Sequence, residues 1–135
     1  MRLELYQAET ARIAAEQTAL LDEAQKIMAS GRELSRLEQN GVLHALQVLV
    51  ENTIGKSKQL LKATGEPVPV SAYEAFETLV RLEKIDTIDL PQWNSIIGLR
   101  NRIVHDYMNI DMKLVLQLVN RKQYLFLTDF LCKPV

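Results

Sequence analysis
The chain has 135 residues, 47% of them hydrophobic and 24% charged, a balance that fits one globular domain spanning residues 1–135 and excludes a disordered polyelectrolyte. Sixteen Lys and Arg against 17 Asp and Glu leave a net charge of −1, so no overall basic charge advertises a nucleic-acid partner. A single cysteine, Cys132, excludes an intramolecular disulfide and a Cys-rich metal framework. No run of about 18 apolar residues suggests a membrane span, and charges throughout the first thirty residues argue against a secretory signal. The expected setting is cytoplasmic, with no membrane association.

Charge is unevenly spread. Residues 1–40 carry five basic and seven acidic side chains, whereas residues 100–124 carry five basic (Arg100, Arg102, Lys113, Arg121 and Lys122) and two acidic (Asp106 and Asp111). A solvated surface accounts for so modest an asymmetry, but the basic third is where a polyanion would settle.

Helical periodicity dominates from the start. Tyr6, Ile13, Leu20 and Ile27 recur every seven residues, with Leu3, Ala14, Leu21, Ala24 and Met28 widening the stripe, predicting an amphipathic helix over about 3–29 that stops near Ser30-Gly31. Ser35-Arg36-Leu37-Glu38 has capping-box spacing, and the apolar pattern from Val42 to Leu61 predicts a long helix ended by Thr64-Gly65-Glu66-Pro67. A second box at Ser71–Glu74 predicts a shorter helix to about Glu83. Asp89, followed by Pro91 in the first turn, predicts a side-chain cap and another helix. Asp111 is expected to cap a last long helix carrying Leu114, Val115, Leu118, Val119, Leu125 and Leu127. The expected fold is all-α, a compact bundle of about five helices.

Only two histidines are present. His44 lies within the apolar pattern of the second helix, where a structural role is the economical reading. His105 sits in Arg100-Asn101-Arg102-Ile103-Val104-His105-Asp106-Tyr107, which crowds a guanidinium, an amide, an imidazole and a phenol into eight positions. On a continuous helix Arg100 and His105 project about 140° apart, so a shared site requires a helix end near Val104 or a partner chain. In an extended turn His105 and Tyr107 would project to one side. Arginine supplies a permanently charged fork for phosphate oxygens, and histidine exchanges protons near neutral pH. Without a metal, the pair suits RNA cleavage by attack of the 2′-hydroxyl on its own phosphate, a reaction DNA cannot undergo. A solvated helix end holding Arg and His by chance is the competing reading.

The string Pro91-Gln92-Trp93-Asn94-Ser95-Ile96-Ile97-Gly98-Leu99-Arg100-Asn101-Arg102-Ile103-Val104-His105-Asp106-Tyr107 resembles the signature of the HEPN superfamily in its HepT branch. That resemblance implies a toxin of a toxin–antitoxin system, a metal-independent endoribonuclease with Arg100 and His105 as catalytic pair and Asn101 shaping the site. It implies a homodimer whose two motifs line one cleft, with no cofactor and RNA as substrate. It further implies a cognate nucleotidyltransferase antitoxin of the MntA type that transfers AMP from ATP to Tyr107, placing bulk and negative charge beside Arg100. A non-catalytic helical module that binds a nucleotidyltransferase or nucleotides is the alternative. Trp93 reads as a packing anchor, Arg102 as a surface charge or RNA-backbone contact, and Tyr73 and Tyr124 as packing residues. Glu51 and Asn52, in the second helix, could face a cleft between copies.

Overall fold
The structure is a computed structural model that describes residues 3–134. Six helices follow in order: α1 (Leu3–Ala29), α2 (Arg36–Ala63), α3 (Ala72–Arg81), α4 (Leu90–His105), α5 (Met112–Asn120) and α6 (Leu125–Cys132). Short 3-10 turns at Thr87–Asp89 and Tyr107–Asn109 flank α4, and no strand occurs among the described residues. The all-α expectation holds, with one helix more than expected.

Start signals hold in full at α2 and α5, in half at α3, where Ser71 Oγ accepts from Glu74 N without the return bond of a box, and fail at α4. At the head of α2 the Ser35 hydroxyl accepts from Glu38 N, and the Glu38 carboxylate accepts from Ser35 N at 2.8 Å. The Arg32 guanidinium and, after it, that N–H hold the Glu38 carboxyl down to about 2. Asp111 Oδ1 accepts from the backbone of Lys113 and Leu114. Asp89, by contrast, makes no side-chain cap; it already has helical backbone angles, because the 3-10 turn before it runs directly into α4.

The stop signals explain the extra helix. At the end of α2, Gly65 takes φ +80°, Gly65 N donates to Lys62 O and Glu66 N to Leu61 O. The same paired bonds close α3 around Glu83 (φ 59°) and α5 around Lys122 (φ 55°). A left-handed residue of this kind ends a helix whichever side chain it bears, although glycine bears it best. The expected last helix therefore breaks at Arg121–Tyr124 into α5 and α6.

α2 is the central element, packed on α1, α3, α4 and α6, while α3 lies on α4 and α1 also covers α5 and α6. The buried side of α1 is Thr10, Ala14, Leu21 and Ala24, three of them within the expected stripe, while Leu20 of its heptad is exposed. Trp93 is only 2% exposed, stacked on Phe76 at 4.5 Å and close to Phe126 and Phe130 at 4.4 and 4.9 Å between ring centroids. It is thus a core anchor joining α3, α4 and α6. Tyr124 is fully buried, and its hydroxyl donates to Asp22; Tyr73 stays partly exposed at the surface of α3. Lys56, on α2, is buried, with its ammonium donating to the carbonyls of Phe130 and Lys133 at 2.7 and 2.5 Å. It thereby satisfies orphan carbonyls at the end of α6, where a positive charge is also favoured.

Candidate active site at the end of α4
α4 remains helical through His105, one residue past the bend the sequence reading asked for near Val104. The chain leaves the helix at Asp106 (φ −146°, ψ 45°), whose N–H still reaches Arg102 O. Asn109 Nδ2 donates to Asp106 Oδ1 at 2.6 Å and closes the turn. Tyr107 therefore opens a 3-10 turn and does not lie on an extended strand beside His105.

The guanidinium reaches His105's side of α4 by another route. Arg100 Nη1 donates to Asn101 Oδ1 at 2.9 Å, which draws the tip of the side chain round to the Asn101 side of the helix. Asn101 and His105 are four residues apart on a continuous helix, so their side chains are neighbours on one face. Arg100 Nε is meanwhile fixed to Glu51 Oε1 of α2 at 2.5 Å. These two contacts use separate edges of the fork, and Nη2 makes no hydrogen bond with any described residue. Side-chain exposures of 26% for Arg100 and 41% for Glu51 put the ion pair at the surface, where such pairs contribute about 0–1 kcal/mol to stability. Its physical consequence is orientation rather than stability.

Tyr107 is half-exposed, and its hydroxyl donates to Asn40 Oδ1, in the first turns of α2, at 2.8 Å. Two bonds thus tie the end of α4 to α2, Arg100 to Glu51 and Tyr107 to Asn40. Rising residue numbers on one helix meet falling numbers on the other, so the two run antiparallel. His105 is exposed and, with Arg102, occupies the last turn of α4, whose partial negative charge favours cations.

Sequence reasoning singled out Arg100, Asn101, His105 and Tyr107, and the fold gathers them at one end of α4. It gave Glu51 a place in a cleft between copies, whereas the residue bonds Arg100 of its own chain, and it passed over Asn40. A signal for both existed: Asn40, His44, Gln47 and Glu51 recur at spacings of four, three and four, a polar stripe along α2. Asn52 instead turns its amide back onto Val48 O. Among the described residues no group of three His, Cys, Asp or Glu could hold a metal ion, and no helix is long and apolar enough to cross a membrane.

Two solved structures share the fold. One is the tri-AMPylated HEPN toxin of Shewanella oneidensis in complex with MNT antitoxin, at TM-score 0.66 and 21% identity over 87% of this chain and 95% of that one. The other is a toxin–antitoxin with AMP-PNP, at TM-score 0.66 and 19% identity over 88% and 97% of the two chains. The family model described as Ribonuclease HepT-like matches residues 14–132, and the chain belongs to that family. No curated relative matches it.

Proposed function
We propose that this chain is a single-domain toxin ribonuclease that cuts RNA without a metal ion, with Arg100 and His105 as its catalytic residues and Asn101 shaping the site. The observation that carries the reading is the Arg100 guanidinium, clamped by Glu51 and Asn101 on His105's side of α4 with Nη2 unengaged. In the reaction the ribose 2′-oxygen gives up its proton, forms a bond to the adjacent phosphorus and displaces the 5′-oxygen, which takes up a proton. His105 serves one of these proton transfers. Arg100 binds the phosphoryl oxygens as charge gathers on them, a contribution worth about 10²–10³-fold when it is preorganised. The homodimer expected of this class would set two such sites along one cleft.

The test is the chemistry of the ends. Purified chain in EDTA should cut RNA to 2′,3′-cyclic phosphate and 5′-hydroxyl termini and leave DNA of the same sequence whole. Cleavage that stops in EDTA, or 3′-hydroxyl termini, would contradict the mechanism.

Regulation centres on Tyr107. We propose that a cognate MntA-type nucleotidyltransferase antitoxin joins the phenolic oxygen to the α-phosphorus of ATP and releases pyrophosphate. Supporting this reading, Tyr107 is half-exposed and lies on the turn that leaves His105, within reach of α2. Once esterified, its oxygen can no longer donate to Asn40, and the added phosphodiester brings negative charge to the guanidinium. Intact mass should rise by whole AMP units with the partner enzyme and ATP, and Tyr107→Phe should gain none. Equal labelling of that variant would remove the regulatory claim.

A further inference from the structure
The helix that carries His105 runs past its own packing. Ile103 is the last buried side chain of α4, and every residue over 104–109 is exposed, His105 among them. Hydrophobic burial therefore anchors neither the last residues of α4 nor the 3-10 turn that follows. Helix ends of this kind open locally at little cost, because their final carbonyls lack partners in the helix and water competes for them. A catalytic imidazole serves poorly from a turn that frays, since a misplacement of about 1 Å can cost about 10²-fold in rate.

One side-chain contact ties this stretch to the body. Among the described residues, the side chains of 104–109 make two hydrogen bonds. Asn109 Nδ2 donates to Asp106 Oδ1 inside the stretch, and the Tyr107 hydroxyl donates across to Asn40 Oδ1 of α2 at 2.8 Å. The acceptor is well seated. Asn40 follows the Ser35–Glu38 capping box by two residues, and Val42 and Leu43 just beyond it are buried. Tyr107 lies two residues past His105, and the N–H of Asp106 between them donates to Arg102 O at 2.8 Å. With Tyr107 held on Asn40, the imidazole is fixed from both sides along the chain. The bond is internal to one chain, so each of two copies facing a common cleft carries its own.

We propose that Asn40 is a positioning residue for RNA cleavage, acting through the Tyr107 hydroxyl to hold His105 in place at the end of α4. The proposal rests on the ribonuclease reading above. Asn40 accepts a hydrogen bond and moves no proton. Transfer of AMP to the same phenolic oxygen replaces O–H by O–P and removes the donor, so the modification proposed above would loosen the histidine as well as crowd the arginine.

The test is a double-mutant cycle of wild type, Asn40→Ala, Tyr107→Phe and the two combined, with Asn40→Asp beside them. A hydrogen bond shifts an equilibrium by a net factor of about 2 to 10, which caps the loss when the turn comes loose. Each single variant should lose about that factor in kcat, with KM for RNA and melting temperature nearly unchanged, and the double variant should lose no more than either. Asn40→Asp keeps an oxygen for the hydroxyl and should recover most of the kcat. Amide deuterium uptake over residues 104–109 should rise in Asn40→Ala and Tyr107→Phe and stay near wild type in Asn40→Asp. Wild-type kcat in Asn40→Ala, losses that multiply in the double variant, or unchanged deuterium uptake overturns the proposal. Wild-type chain that leaves RNA whole takes down the ribonuclease reading and the proposal with it, a result that the wild-type lane alone reports.

Discussion

Arg100 has five N–H donors and Glu51 engages only the one on Nε, so the carboxylate steers the guanidinium without covering it. A surface ion pair adds too little free energy to matter for folding, and its loss should be felt in catalysis instead. Glu51→Ala is expected to lower kcat about 10- to 100-fold, the scale of a misplaced catalytic group, with KM and melting temperature nearly unchanged. Glu51→Gln keeps an acceptor for Nε and should recover most of that loss. An unaltered kcat in Glu51→Ala would show that Asn101 alone orients the arginine. At this scale the sequence was half legible. Arg100, Asn101, His105 and Tyr107 stand within eight consecutive positions and carry their chemistry openly. Their partners Asn40 and Glu51 lie 67 and 49 residues away, and only the pairing of α2 with α4 brings them in. The helix end expected near Val104 comes one residue later, and within the chain it is Asn101 that turns the arginine sideways.

Helices whose ends are marked by side-chain chemistry were legible to within a residue or two. Ser35 and Glu38 start α2, Gly31 and Gly65 follow the ends of α1 and α2, and the structure places these boundaries where those residues ask for them. The break between α5 and α6 was not legible, because Lys122 occupies the left-handed position that glycine usually marks. Lys122→Gly should raise stability by up to about 1 kcal/mol, since the strain relieved at φ 55° exceeds the added freedom of the unfolded chain. Denaturant unfolding measures it, and a loss of stability would show that the lysine side chain contributes more than its backbone costs. On α1 the apolar stripe was legible but broader than the face that is buried. Leu20 and Leu21 are equally apolar, and contact with α2 and α6, not hydrophobicity, decides which of them turns inward.

Across the whole molecule, the last helix is held to the first two by polar contacts no local pattern foretold. Thr18 and Thr128 hydroxyls meet at 2.7 Å, Gln7 Nε2 donates to Leu131 O at 2.9 Å, and Tyr124 donates to Asp22. Lys56 completes the set, and burial, opposed by Cys132 and reinforced by Lys133, pulls its ammonium down to about 8 from the ordinary 10.5. Above about pH 8 the folded chain releases this proton while the unfolded chain keeps it, so stability should rise with pH until about 10. Beyond that, Tyr6 and Tyr124, both raised in the fold chiefly by burial, reverse the trend as the unfolded tyrosines ionise first. Melting temperatures at about pH 7.5 and 9.5 should differ in wild type and converge in Lys56→Met; equal slopes in the two would exclude Lys56 as the cause.

The same bundle fixes α4 against α2, and that pairing holds the Arg100 guanidinium on Glu51, about one and a half turns before His105 ends α4. The most direct measurement is RNA cleavage in EDTA by wild type, Arg100→Ala and His105→Ala side by side, each first shown to melt as wild type does. Wild type should cut, and each variant should fall by about 10² or more. Either variant cutting at the wild-type rate would contradict the account at its centre.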